Sequence, residues 1–249
     1  MCSVTDSSEQ KPALPVNVVI LAAGAGSRLG RSTPKSLTRL ADHSTILGRQ
    51  LAAIDSVWPN ATVAIVVGFK LELIMESAAD RLFVYNDEFD RTNTSQSLKR
   101  ALKLLPGGPV VWMNGDVVLN DEVLRRFAEP VKGGESVIGI VAGKTGAEEV
   151  KYRLDAEGKV LELSKSVTDA AGESVGINSF SAAGRSALLS GLGDCSIEDY
   201  FERGIELAID SGACVGTVDL SDLGTMEIDF ESDLTEVNSR LADGSLSAP

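Results

Sequence analysis

The chain has 249 residues, 43% of them hydrophobic, with 23 basic against 36 acidic side chains and a net charge of −13. That length and apolar content support one sizeable core, the acidity excludes a general binder of DNA or RNA, and no apolar run approaches the roughly 18 residues of a membrane span. Three cysteines, Cys2, Cys195 and Cys214, form neither a C-x-x-C pair nor an even-numbered framework, which fits a reducing, cytoplasmic setting.

Residues 1–15 are polar, carry prolines and lack a basic segment leading into an apolar one, so they read as a loose tail and not as a signal peptide. Residues 16–22 are near-continuously apolar, the pattern of a strand buried on both faces. A helix follows over 44–57, with Ile46, Leu47, Leu51 and Ile54 on one face, then a strand over 61–67, a helix over 70–80 and a short strand over 82–85. Residues 94–105 space Leu98, Leu102 and Leu105 for one helical face. Residues 109–113 form a further buried strand, and 121–128 a helix opened by its own acidic cap. Strands follow over 136–141, 150–154, 160–163 and 174–181, with Asp155-Ala156-Glu157-Gly158-Lys159 as the turn of a hairpin. Residues 197–211 read as a helix, 214–218 as a strand, 231–240 as a closing helix and 242–249 as a loose tail. The alternation predicts an α/β fold: a Rossmann-like three-layer sandwich with a mostly parallel central sheet and an inserted β-hairpin region. With no linker in view, residues 16–241 are expected to form a single domain.

The first strand runs into Gly24-Ala25-Gly26-Ser27-Arg28-Leu29-Gly30, and Pro34-Lys35 follow. Bare backbone N–H groups followed by two fixed cations suit a triphosphate. The spacing is one residue too long for a dinucleotide G-x-G-x-x-G, and no G-x-x-x-x-G-K-[ST] string is present. The glycines alone serve equally well as a tight strand-to-helix turn, and the two cations tip the reading toward phosphate. The lone histidine, His43, lies in a polar stretch and reads as a surface residue, and no Ser-His-Asp or Cys-His set is available.

Leu21-Ala22-Ala23-Gly24-x-Gly26-x-Arg28-Leu29 followed by Pro34-Lys35-x-Leu37 resembles the signature of the nucleotidyltransferases that make nucleotide sugars and related activated phosphates. Thr92-Asn93-Thr94-Ser95-Gln96-Ser97-Leu98 resembles the T-N-x-x-S-L segment of the cytidylyltransferase branch, which uses phosphocholine, 2-aminoethylphosphonate and related small phosphonates. Asn114-Gly115-Asp116, Lys165, Gly172-Glu173-x-x-Gly176-Ile177 and Glu227-Ile228-Asp229 fall in the expected order.

The resemblance implies a GT-A-like nucleotidyltransferase fold and transfer of CMP from CTP to a small phosphonate or phosphate monoester, with release of pyrophosphate. Within it, Leu21, Ala22, Ala23, Gly24, Ala25, Gly26 and Ser27 line the nucleotide, and Lys35, Arg28 and Lys165 carry the chemistry. Asp116 and Asp229 hold Mg²⁺, with Glu227, Glu231 and Asp233 as competitors for that task. Asn93, Gln96 and Ser97 frame the cytosine, with helix capping as the competing explanation. Lys165, Glu173 and Glu227 face the second substrate. Tyr152, Trp112, Phe180 and Phe230 are available to line its pocket or to fill the core. A sugar-1-phosphate or inositol-1-phosphate acceptor is the alternative, a non-catalytic nucleotide-binding module is the alternative of another class, and a homodimer is allowed.

Overall fold

Strand β1, Asn17–Ala22, is buried at every position, which is why its residues show no polar alternation. The structure is a computed structural model and describes residues 15–26, 29–30, 32–143, 145–146 and 149–246. The further strands are β2 (Thr62–Val67), β3 (Leu82–Tyr85), β4 (Val110–Asn114), β5 (Val117–Val118), β6 (Ser136–Ala142), β7 (Lys151–Leu154), β8 (Val160–Ser164), β9 (Gly172–Phe180), β10 (Val215–Asp219) and β11 (Met226–Glu227). The helices are α1 (Ile46–Val57), α2 (Leu71–Ser77), α3 (Thr94–Leu104), α4 (Asp121–Lys132), α5 (Arg185–Asp194), α6 (Phe201–Asp210) and α7 (Glu231–Ala242).

The main sheet runs β10-β6-β9-β4-β1-β2-β3. Only β9 is antiparallel to its neighbours on that path, β4 and β6, so the sheet is mostly parallel. The expected hairpin is present as β7 and β8, docked on β9 through Lys151 opposite Glu173. Successive side chains of β1 point to opposite faces. Val18 and Ile20 pack with Ile54 of α1, Ile74 of α2 and Phe127 of α4. Val19 and Leu21 pack with Leu98 of α3, Leu188 of α5 and Ile205 of α6. Two helical layers therefore sandwich the sheet, and each buried aliphatic side chain adds about 1.5–3 kcal/mol of transfer free energy. From β1 the chain leads outward to β2 and β3, then crosses back to β4 on the other side of β1. That reversal opens a crevice at the carboxyl ends of β1 and β4.

Several boundaries differ from the sequence expectation for identifiable reasons. Helix α1 starts at Ile46 because the Thr45 side chain accepts a hydrogen bond from Gly48 N at 3.0 Å. Helix α4 is capped by Asn120, whose side chain accepts from Val123 N at 3.3 Å, and not by an acid. It also runs through Pro130 to Lys132, because a proline in the last turn forfeits only one backbone bond. Helix α5 had no counterpart in the sequence reading, and residues 197–200 precede α6 instead of joining it. Gly191 and Gly204 explain α5: a Cβ on Gly191 would press on the Gly204 carbonyl, and one on Gly204 would lie 2.6 Å from Leu192. The two glycines let α5 and α6 approach closely, at a cost in helix propensity that hides α5 from a periodicity reading.

Leu246, within the segment expected to be loose, is 1% exposed and packs with Leu29, Val118 and Val237. No helix among the described residues is long and apolar enough to cross a membrane.

Candidate active site

The Asn114-Gly115-Asp116 turn sits at the carboxyl end of β4. Gly115 N donates to Leu21 O at 2.9 Å, and a Cβ at Gly115 would stand 2.8 Å from that oxygen, so only glycine allows the approach. Buried Gln50 of α1 donates its side-chain amide to Asn114 O at 2.8 Å and Val117 O at 2.9 Å. The turn is thus held from both sides.

Beyond it, β5 and β11 form a two-stranded antiparallel ribbon with Glu227 opposite Val117, and Ile228 N donates to Asp116 O at 3.1 Å. The ribbon lays Asp229 alongside Asp116. Asp233, at the start of α7, accepts from Asp229 N at 2.8 Å and Phe230 N at 2.7 Å. Asp233 therefore caps the helix and fixes the backbone next to Asp229.

Lys35 begins a single 3-10 turn, Lys35–Leu37, behind Pro34. Gly26, at φ +58°, comes so close that a Cβ there would lie 2.9 Å from the Lys35 Cβ. Lys35 Nζ donates to Asp116 Oδ2 and to Asp229 Oδ1, each at 2.6 Å. Burial acts to lower the Lys35 pKa, but the charge and hydrogen bonds of the two aspartates outweigh it, and the net shift is upward.

These groups open onto a cleft of about 310 Å³. Of the residues singled out from sequence, Leu21, Ala22, Gly24, Gly26, Lys35, Asp116, Lys165, Glu227 and Asp229 line it. Ser27 and Arg28 lie outside the described residues. Ala23 faces the core at 6% exposure and accepts from Phe69 N at 3.0 Å through its carbonyl, and Ala25 is exposed beside the cleft.

The remaining expected residues are engaged elsewhere. Asn93 caps α3, accepting from Thr94 N at 2.9 Å and donating to Glu198 O at 3.2 Å. Gln96 donates to Ser196 O at 3.3 Å, and Ser97, 5% exposed, accepts from Asn86 at 3.0 Å. All three tie α3 to its neighbours and none lines the cleft, so the capping explanation describes Asn93. Glu173 is also absent from the wall: Ser174 and Gly176 line it, while Glu173 alternates to the other side and accepts from the Gly146 backbone. Burial, then the charge of Glu149, pushes its carboxyl up. Trp112, Phe180 and Tyr152 are core residues at 0%, 0% and 2% exposure. Phe230 is exposed outside the cleft.

The cleft contains groups that the sequence reading missed. Tyr200 supplies an aromatic face, and Glu202 also lines the cleft, while Phe201 between them is 0% exposed with its ring packed against Trp112. Thr94 Oγ1 accepts from Phe201 N at 3.0 Å and so pins the start of α6. Glu202 reads in sequence as an ordinary first-turn acid favoured by the helix dipole, and only packing reveals that it is buried. Burial pushes its carboxyl up to about 7, against the opposing pull of its own backbone N–H and the charge of Lys165, while Glu206 adds to the rise. Glu227 is pushed up to about 8, first by burial and then by the charge of Asp116; the hydrogen bond from Asn114 Nδ2 at 3.1 Å opposes this. Lys165 Nζ stands 5.5 Å from the centroid of the Tyr200 ring.

Asp116 Oδ1 is buried without a hydrogen-bond partner. It lies beside a point on which two carboxylates already converge, a hard-oxygen donor set that fits Mg²⁺. Among the described residues no group of three or more His, Cys, Asp and Glu has metal-holding geometry. Two protein carboxylates leave the remaining positions of an octahedral ion to phosphate oxygens and water.

Residues 18–179 match the model of the MobA-like NTP transferase domain. The chain belongs to that family. Membership places it among the nucleotidyltransferases. It is 30% identical over 234 residues to a bifunctional protein GlmU of Ruegeria sp. (strain TM1040), covering 87% of this chain and 51% of that protein. It is 36% identical over 125 residues to the CMP-5'-(3-aminopropyl)phosphonate synthase of Streptomyces rubellomurinus, covering 47% of this chain and 19% of that protein. The chain thus spans about half, or less, of these relatives. Its fold is that of the CTP:phosphocholine cytidylyltransferase LicC of Streptococcus pneumoniae, with a TM-score of 0.74 at 18% identity over 92% of this chain and 100% of the other.

Proposed function

We propose that the protein is a cytidylyltransferase that moves CMP from CTP to a small phosphonate or phosphate monoester. The observation that carries this reading is the meeting of Lys35, Asp116 and Asp229 at the mouth of the glycine loop, with Lys165 on the wall of the same cleft. The CMP-phosphonate product in the name of the Streptomyces relative supports the choice of nucleotide and acceptor.

An anionic oxygen of the acceptor attacks the α-phosphorus of CTP in line. The bond from that phosphorus to the bridging oxygen of the β-phosphate breaks, and pyrophosphate leaves with the electron pair. The attacking oxygen is already ionised near neutral pH, so no general base is required. The difficulty is bringing two anions together, and catalysis is mainly charge neutralisation and positioning. Lys35 stabilises the charge that develops on the α-phosphate. The backbone around Gly24 and Gly26, with Arg28, holds the β- and γ-phosphates. Lys165 binds the phosphorus end of the acceptor. Mg²⁺ held by Asp116 and Asp229 supplies further positive charge at the phosphate oxygens when bound.

A pyrophosphate-release matrix tests the reading. It crosses CTP, UTP, ATP and GTP with 2-aminoethylphosphonate, 2-hydroxyethylphosphonate, phosphocholine, inositol phosphate and sugar 1-phosphates. The expected result is release with CTP and a small phosphonate or phosphate monoester. Release confined to sugar 1-phosphates replaces the acceptor assignment, and binding of CTP without release from any pair turns the protein into a nucleotide-binding module.

A further inference from the structure

A second cavity, of about 470 Å³, lies at the far end of the sheet from the cleft. Ser136 begins β6, Cys214 directly precedes β10 and Ser181 directly follows β9, and all three line it. The cleft lies toward the other end of β9, where Ser174 and Gly176 form part of its wall. The volume is that of a small-molecule site, and the transfer reaction makes no use of it. Its buried polar groups are turned out as donors. Ser136 Oγ accepts from Ser181 N at 3.1 Å, and Ser181 Oγ accepts from Gly184 N at 3.0 Å. Both serines are 8% exposed. Each hydroxyl also carries a proton, and among the described residues neither proton has an acceptor. The two oxygens border one point: a Cβ on Gly184 would lie 3.0 Å from Ser136 Oγ and 3.3 Å from Ser181 Oγ, so the glycine leaves open a space between them. Lys159, half-buried in the β7–β8 turn, lays its ammonium over β10, 3.7 Å from where a Cβ on Gly216 would stand. Among the described residues it forms no ion pair, although the chain carries 36 acids.

We propose that this cavity binds the phosphoryl group of a small molecule between the hydroxyls of Ser136 and Ser181 and the ammonium of Lys159. Binding here is independent of the transfer reaction proposed above. A phosphoryl group brings negative charge and three strong acceptor oxygens, one for each of these donors, where a carboxylate brings two. Hydrogen bonds from a cation to such oxygens are among the strong ones. A neutral ligand leaves the Lys159 charge unanswered, and a cationic one is repelled by it. Gly184 is also the N-cap of the ten-residue helix α5, whose dipole favours an anion at that end. Glu135, the acid on this wall, is exposed, so solvent screens its opposing charge.

The exposed thiol of Cys214, on the same wall, reports occupancy without any turnover. Its alkylation by iodoacetamide is followed by mass spectrometry of the peptide that carries it, with inorganic phosphate or glycerol 3-phosphate added at constant ionic strength. Alkylation is expected to slow saturably, by about 10-fold at a ligand concentration of about ten times Kd, as mass action on the free site requires. Lys159→Gln removes the charge. Gly184→Ala fills the space beside the two hydroxyls at φ −77°, a conformation open to alanine. Each variant should raise the phosphate concentration that gives half-protection. Lys159→Gln changes a partly exposed turn residue and keeps the fold, so the test does not hang on Gly184→Ala alone. Lys165→Gln, in the catalytic cleft, should leave the protection as it is, which separates this cavity from the phosphate sites there. Alkylation that neither phosphate slows, or slowing that sodium chloride matches, overturns the proposal. So does protection unchanged in both Lys159→Gln and Gly184→Ala, or protection lost in Lys165→Gln.

Discussion

Asp116 and Asp229 each place one carboxylate oxygen 2.6 Å from the same atom, Nζ of Lys35. Two acids far apart in the sequence meet because β5 and β11 pair with Glu227 opposite Val117, which forces the residues flanking the ribbon to the same side. The lysine is what makes two half-buried carboxylates tolerable at that separation.

Lys35→Met keeps the stem of the side chain and removes its charge. If Lys35 stabilises the α-phosphate in the transition state, kcat should fall by about 10²- to 10³-fold, the usual loss for one electrostatic stabiliser. The variant also leaves two carboxylates facing each other, so millimolar Mg²⁺ should raise its melting temperature more than that of the wild type. Pyrophosphate release and thermal melts with and without EDTA check both. Near-wild-type turnover would remove Lys35 from the reaction.

Asp116→Asn and Asp229→Asn should each raise the Mg²⁺ concentration for half-maximal activity by about 10- to 100-fold. Two ligands of one ion are coupled, so the double variant should fall short of the sum of the singles. Magnesium titrations of the four proteins decide the point, and an unchanged magnesium dependence in both single variants would show that neither acid is a ligand.

Gly176→Ala tests how the wall of the cleft is built. Gly176 has φ +63°, and a Cβ there would collide with Glu227 Oε1 and lie 2.7 Å from Asn114 Nδ2. Gly158, in the β7–β8 turn, has φ +77° with open space around it. Gly158→Ala should therefore report backbone strain alone, about 1–2 kcal/mol. Gly176→Ala should cost more, by about 1–3 kcal/mol for overpacking. Urea denaturation of the two variants gives the difference, and equal losses would mean that Glu227 and Asn114 move aside freely.

Much of this arrangement is legible in the sequence. The near-continuous apolar run of β1 announces a strand covered on both faces. The glycines after it and the acid after β4 both stand at carboxyl strand ends, where a mostly parallel sheet gathers its site. The polar residues at the start of α3 are ambiguous by nature. Asn93 offers the same carbonyl oxygen to a base or to the Thr94 N–H, and here it caps the helix. Glu202 is invisible for a different reason. An acid in the first turn of a helix is ordinary, and nothing local records that Thr94, far back in the chain, turns this one inward. Helix α5 is hidden by Gly191, whose purpose appears only when α6 is packed against it.

The burial of Glu202 has a consequence for stability that needs no substrate. Its carboxyl is pushed up to about 7 in the folded protein, against an ordinary value of 4.5. Below pH 4.5 the group is protonated in both states and favours neither. As the pH rises toward 7, the unfolded chain gives up the proton while the folded chain keeps it. The folded state then binds more protons, and stability falls with rising pH. Above about 7 both states are ionised, and the loss is complete at about 3 kcal/mol, an order-of-magnitude figure set by the size of the shift. Lys165 opposes this rise, whereas Glu206 adds to it. Glu202→Gln removes the titrating group but leaves the rest of the cleft in place. Denaturant unfolding at pH 5 and pH 8 should therefore show the wild type losing more stability than the variant over that interval. Parallel losses in the two proteins would mean that Glu202 ionises at an ordinary pH, with water reaching its carboxylate.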